Sequence, residues 1–343
     1  MKLYLIGLDG LSASILFAEE NKGRWPNLEQ FCYSGLYGVC ECEEEYKLTG
    51  PSWTSIYTGQ PVEIHMVTDI AGRPINNGRT FSTVREPYIW DILNEHGISC
   101  GVVTMPVTYP ARKINGYMIA GFPSPGLSFT GDITVPEDFI VDHSQVIRRS
   151  EKVAGKGYSY HDKYTLDEDI ELLKESELKK TSLMPRLLHQ QEVGALFVQY
   201  SGLDRIGHEL NNYARRGVTY KHENILKFYD WFDAFCLPRI LDVRAEYRVI
   251  VSDHGWKSFS RGQSTDNSDN LMIWGGHDIG GVFAINGPDI QNRTPIYCRN
   301  IDVLPTVLDI LGLPPVEVYG KSILIRSSEI DEINKQLSGL GYI

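Results

Sequence analysis

Five short segments of this chain carry side chains whose types and spacing could do chemistry together. Asp253-His254-Gly255 follows the run YRVIVS, so a carboxylate and an imidazole stand side by side at a strand end. Both can ligate one divalent metal, and the glycine would let the backbone turn sharply. Asp204 and His208 lie four residues apart just past the run ALFVQY. On a helix that spacing places both on one face, a second metal-binding pair. Gly275-Gly276-His277 offers a third imidazole in a glycine-rich loop, and Asp9 closes the first apolar run just before Gly10. Thr49 opens the segment TGPSWTSIYTG, which reads as a helix ended by Gly59. A hydroxyl at a helix N-terminus sits where backbone N–H groups and the dipole favour a phosphoryl anion. Threonine is a poor nucleophile, and metal coordination is one way to activate it.

Each segment alone has a plainer reading. Asp253 and His254 could make ordinary loop hydrogen bonds, Asp9 could cap the following helix, Gly-Gly-His could be a simple turn, and Thr49 could be an N-cap. Placement separates these readings. Short apolar runs at Leu3 to Leu8, Ser99 to Thr104, Ala195 to Tyr200, Tyr247 to Val251 and Gly281 to Ile285 read as buried parallel strands. Amphipathic stretches at Pro87 to His96, Leu166 to Gln191, Lys221 to Leu241 and Ile301 to Leu311 read as the helices between them. The alternation predicts an α/β fold, a doubly wound, mostly parallel sheet flanked by helices. Such sheets bind ligands beyond the carboxyl ends of their strands. Asp9, the Asp204/His208 pair and the Asp253/His254 pair all follow strand ends and project to that one edge.

Residues 105–163, rich in Pro, Gly and aromatics, break the pattern and read as a cap inserted into a core formed by 1–104 and 164–343. Residues 256–274 read as a second cap loop. The chain has 343 residues, 42% of them apolar and 22% charged, enough for a large core without disulfides. No apolar run reaches the length of a membrane span, and the N-terminus lacks the pattern of a signal peptide, so a cytoplasmic protein is expected. The six cysteines show no CxxC spacing and read as reduced, mostly buried thiols, with Cys40 and Cys42 on an alternating strand. A net charge of −11 argues against a nucleic acid polymer as partner, though a local metal centre could still hold a small phosphate-containing substrate. Oligomeric state is not legible.

The order of the segments carries more than any one of them. LIGLDGL, TGPSWTSIYTG, GFPSPG, DRIGH, VIVSDHG, GGHD, NIDVLPTVLDILGLP and the ending EINKQLSGLGYI together resemble the alkaline phosphatase superfamily, in its type I phosphodiesterase and nucleotide pyrophosphatase branch. The resemblance implies two divalent ions, zinc (Zn²⁺) first and Mn²⁺ or Fe²⁺ next. One would be held by Asp9, Asp253, His254 and the Thr49 oxygen, the other by Asp204, His208 and His277. It implies a phospho-Thr49 intermediate, with the Gly50 N–H on a phosphoryl oxygen and Trp53 and Tyr109 as candidate substrate contacts. His65 would be structural. The branch commonly carries an asparagine about twenty residues after the nucleophile; here Asp69 and Ile70 occupy that region, and Asn76 and Asn77 are nearest. A phosphomonoesterase, phosphonate hydrolase or phosphomutase with the same metal pair is the alternative, and would want an extra cation such as Lys47, Arg73 or Arg112. A sulfatase would carry a modified Cys or Ser where Thr49 stands. A non-catalytic binding protein on this fold is the remote reading.

Overall fold

A computed structural model of the chain describes residues 1–68, 84–121, 134–136, 165–215, 222–258, 275–290 and 295–324. The strands are β1 (Leu3–Leu8), β2 (Leu36–Glu41), β3 (Cys100–Val103), β4 (Gly116–Ile119), β5 (Thr134–Val135), β6 (Ala195–Tyr200), β7 (Tyr247–Val251), β8 (Gly255–Ser258), β9 (Gly275–Asp278), β10 (Gly280–Asn286) and β11 (Ile296–Arg299). Nine of them form one sheet in the order β11-β2-β10-β7-β1-β6-β3-β4-β5, and β8 pairs with β9 in a separate ribbon. β1 lies at the centre, parallel to both β6 and β7.

The sheet is mixed but mostly parallel, as the sequence predicts, with one correction. Gly281 to Ile285 was expected to be parallel, yet β10 runs antiparallel to both β7 and β2. That reversal matters for the site. The start of β10 lies at the edge where the parallel strands end, so the ribbon strand before it is delivered there too.

The helices are α1 (Ala13–Leu16), α2 (Pro26–Tyr33), α3 (Thr49–Thr58), α4 (Val62–His65), α5 (Ile89–Glu95), α6 (Leu166–Gln190), α7 (Gly202–Arg215), α8 (His222–Trp231), α9 (Leu237–Leu241) and α10 (Val303–Ile310). None among the described residues is long and apolar enough to cross a membrane. Successive β1 side chains point to opposite faces and seed two cores. Tyr4, Ile6 and Leu8 join Trp25, Leu28 and the apolar stripes of α6, α7 and α8, whereas Leu3 and Leu5 join Trp53, Tyr57, Trp90 and Leu304 under α3, α5 and α10. With both faces covered, β1 and β6 read as continuous apolar runs rather than alternating ones. The tightest contact is between β1 and α3: a Cβ at Gly7 would lie 2.5 Å from the Trp53 ring. A side chain there would cost about 1–3 kcal/mol in overpacking. Gly7 thus lets the helix that begins at Thr49 sit close against the strand that ends at Asp9.

Parts of the expected caps belong to the framework. Gly116–Ile119 extends the main sheet, parallel to β3, and Thr134–Val135 pairs antiparallel beyond it. Residues 122–133 and 137–163 lie outside the described residues. Trp256 to Ser258 belong to β8, and the rest of the second expected cap, 259–274, is likewise outside the described residues. All six cysteines are free and buried; Cys40 is on β2 and Cys42 just past its end.

Candidate active site

The deepest part of the site is built where β1 and β7 end. Gly10 has φ +71°, and a Cβ on it would sit 2.8 Å from Asp204, so both conformation and space require glycine. Its N–H donates to Asp253 Oδ1 at 3.3 Å. Tyr229 from α8 fixes the turn, donating to the Gly10 carbonyl at 3.2 Å and accepting from the Ser12 N–H at 3.1 Å. Asp9 is therefore not a helix cap; Ser12 precedes α1. Beyond β7, Ser252 Oγ donates to the His254 carbonyl at 2.7 Å and Asn300 Nδ2 to the Asp253 carbonyl at 2.8 Å. Gly255 is needed for close approach, not for a sharp turn: it begins β8, and a Cβ there would lie 2.4 Å from the Gly280 carbonyl oxygen.

The outer part comes from α7 and the ribbon. Asp204 and His208 sit one turn apart on α7, as the spacing predicts. Gly207 lets that helix rest on Trp256, whose ring would be 2.4 Å from a Cβ at that position. The His208 ring meets Trp256 edge-on with centroids 5.1 Å apart. Gly275-Gly276-His277 is not a loop but strand β9, with His277 directly across from Trp256. His277 Nδ1 is 2.7 Å from the Lys47 carbonyl, which ties the ribbon to the segment that leads into Thr49. His254 Nδ1 likewise faces the Gly255 carbonyl at 3.1 Å. Both imidazoles are thereby turned to present Nε2 to the site.

These elements bring six of the expected ligands together. His254 Nε2 is 3.2 Å from Asp253 Oδ2 and 3.6 Å from Asp9 Oδ1. Asp204 Oδ1 is 3.2 Å from His277 Nε2 and 3.4 Å from His208 Nε2, and those two nitrogens are 3.1 Å apart. The rings of His254 and His277 stack at 3.8 Å, joining the two sets. One ligand atom each of Asp9, Asp253 and His254 lies within 4.8 Å of the others, close enough to hold one metal ion, and the same is true of Asp204, His254 and His277.

Asp9 Oδ1, Asp253 Oδ2 and His254 Nε2 are buried and make no hydrogen bond among the described residues, whereas Asp204 Oδ1 faces the imidazoles of His277 and His208. Buried polar atoms that face one another without partners are costly unless something else satisfies them. The electrostatics agree. Burial, then the charges of Asp253 and Asp204, push Asp9 well above the usual carboxylate range. Asp253 is pushed up by burial and by Asp204. Burial also works against ionised Asp204, but His208 and His277 beside it more than offset that and hold it low. Burial and the charge of His277 bring His254 down to about 3, keeping the ring neutral, the form that ligates metals. Nitrogen and oxygen donors without a thiolate fit a divalent cation.

Thr49 is the first residue of α3, not its cap. Leu48 takes the extended cap conformation and no side chain caps the helix. The Ser52 N–H bonds to the Leu48 carbonyl, and Pro51 has no N–H. The Thr49 and Gly50 N–H groups are thus the first-turn donors left over among the described residues. Trp53, a candidate substrate contact, is fully buried beneath β1 and belongs to the core. Tyr109 is half-buried against the other core. His65 is structural: its Nδ1 accepts from the Val67 N–H at 3.1 Å, so its Nε2, 3.0 Å from Ser55 Oγ, carries the proton. Asp69, Ile70, Arg73, Asn76 and Asn77 lie outside the described residues. The sequence reading passed over Tyr229, Trp256, Asn300 and Gln199. Only Gln199 carried a signal, as the one polar residue in ALFVQY.

Comparison with known proteins places this geometry in a family. Residues 3–307 match the type I phosphodiesterase / nucleotide pyrophosphatase family. Murine ectonucleotide pyrophosphatase / phosphodiesterase 5 has a similar fold, with a TM-score of 0.58 at 12% identity over 94% of this chain and 98% of that one. The human protein of the same name gives 0.56 at 11% identity over 94% and 97%. A 2-O GAG sulfatase gives 0.57 at 13% identity over 94% and 73%. No curated protein matches the sequence. With the family spanning nearly the whole chain, the protein belongs to the type I phosphodiesterases and nucleotide pyrophosphatases, phosphoryl-transfer hydrolases of the alkaline phosphatase superfamily.

Proposed function

We propose that this hydrolase is a two-metal phosphodiesterase or nucleotide pyrophosphatase that works through a covalent intermediate on Thr49. The observation that carries the reading is the convergence of three buried, unpartnered ligand atoms, on Asp9, Asp253 and His254, at the sheet edge, with Asp204 and its two imidazoles beside them. Asp9, Asp253 and His254, with the Thr49 oxygen, would hold one ion, and Asp204, His208 and His277 the other. Divalent ions there, zinc first and manganese or iron next, would cancel the carboxylate charge and stabilise the attacking and leaving oxygens.

The chain's own residues supply the rest. The α3 start aims the Thr49 and Gly50 N–H groups and the helix dipole at a phosphoryl oxygen. Thr49 Oγ1 forms a bond to phosphorus as the ester or anhydride oxygen of the leaving group departs. Water then cleaves phospho-Thr49, releasing phosphate or its monoester and restoring the hydroxyl. Of the three cations that a monoesterase could use, the two among the described residues are engaged elsewhere: Lys47 pairs with Glu44, and Arg112 pairs with Asp91 and lies over Tyr88.

The test is a hydrolysis panel of aryl monoesters, aryl diesters and nucleotides run on metal-replete wild type, Thr49→Ala and Thr49→Ser. Loss of the positioned hydroxyl should cost at least about a thousandfold in Thr49→Ala, while Thr49→Ser keeps measurable turnover. Near wild-type turnover in Thr49→Ala would leave Thr49 as no more than the start of a helix.

A further inference from the structure

Gln199 is buried on β6, and its side-chain amide is spent on Asp9. Gln199 Nε2 donates to Asp9 Oδ2 at 2.7 Å, leaving Oδ1 as the oxygen that faces His254 and Asp253. An amide placed within a fully buried strand carries a desolvation cost that an apolar side chain would not. The residue is also anchored from two other elements through its main-chain carbonyl. Lys180 of α6, almost wholly buried, donates its ammonium to that carbonyl at 2.8 Å. Thr104, just past β3, donates its hydroxyl to the same oxygen at 3.1 Å. Thr104 does so at φ 52°, a conformation that β-branched residues rarely adopt. Two elements outside the ligand segments therefore converge on one glutamine.

We infer that Gln199 is a positioning residue that holds Asp9 as a one-oxygen ligand, engaging Oδ2 so that only Oδ1 is offered to the deep ion. The inference rests on the two-ion reading above. Lys180 and Thr104 fix the main chain from which the amide reaches.

The experiment is calorimetric titration of zinc into chelator-stripped wild type, Gln199→Glu and Gln199→Met, with Asp9→Asn as the reference for loss of the deep ion. Both Gln199 replacements have the length of glutamine, so the site is not collapsed, and two chemistries guard against one variant failing to fold. Wild type should bind two equivalents. Each Gln199 variant should lose about 10–100-fold in affinity for one of them, the same binding step that Asp9→Asn abolishes, with the other step unchanged. A general folding defect would weaken both steps. If wild type binds two ions and the Gln199 variants bind both as tightly, the positioning role is overturned and the two-ion reading stands. If wild type binds fewer than two, both fall together.

Discussion

The two halves of the ligand cluster solve the same electrostatic problem in different ways. Asp9, Asp253 and His254 stand at the ends of central strands, almost wholly inaccessible, with two carboxylates and a neutral imidazole in contact. Nothing within that set cancels its charge, so Asp9 and Asp253 are driven up and the set calls for a cation. The outer set is less enclosed: the His208 side chain is 47% exposed and His277 11%. Asp204 lies between these two imidazoles, which offset its burial and hold it low without any ion. The deep half is preorganised and unsatisfied; the outer half is adjustable and partly self-compensated. A buried ligand set on sheet ends cannot relax away from its own repulsion, whereas one on a helix face and a ribbon can.

Removing one histidine from each half tests that contrast most strongly. His254→Ala should lose the deep ion and at least about a thousandfold in diester hydrolysis, because His254 reaches both ligand groups. His208→Ala should cost about 10–100-fold and weaken one ion without expelling it, since the residue is exposed and Asp204 and His277 remain. Metal content and turnover measured on both variants decide the matter, and equal losses would erase the distinction between the halves.

Metal-free protein gives a smaller but sharper test through pH. An acid whose pKa is raised by folding contributes stability that is whole below the ordinary carboxylate pKa of about 4 and is lost as pH rises through the raised value. Asp9 and Asp253 are of this kind. Asp204 is the reverse: its contribution is present above about 4 and is lost as pH falls through the depressed value. In chelator-treated samples, Asp9→Asn should therefore become more stable than wild type, by an amount that grows between about pH 5 and pH 8 and reaches about 1–3 kcal/mol. Saturating zinc should reverse the order. Urea denaturation across that range is the measurement; a difference that shrinks with rising pH would mean that Asp9 is already compensated.

The smallest effect expected concerns how the outer half is seated. Gly207→Ala sets a methyl against the Trp256 ring and should cost about 1–3 kcal/mol in thermal unfolding while loosening one ion only. No effect on either would show that α7 does not depend on that contact to aim Asp204 and His208.

Sequence alone determined much of this protein. The apolar runs of β1, β3, β6 and β7 were legible because strands covered on both faces leave no alternation to confuse them. The edge to which Asp9, Asp204 and Asp253 project followed from strand ends, and the helical spacing of Asp204 and His208 held. Tertiary structure alone decided the rest. The reversal of β10 and the ribbon that carries His277 depend on pairing between distant segments, which local periodicity does not encode. Trp53 reads as a substrate contact in the sequence, whereas in the fold Gly7 opens the space that its ring fills. Most of all, a lone carboxylate at a strand end says only that it needs a partner. Only the fold shows that Asp9 Oδ1 faces the unpartnered His254 Nε2, because burial and proximity across more than two hundred residues are properties of the packed chain.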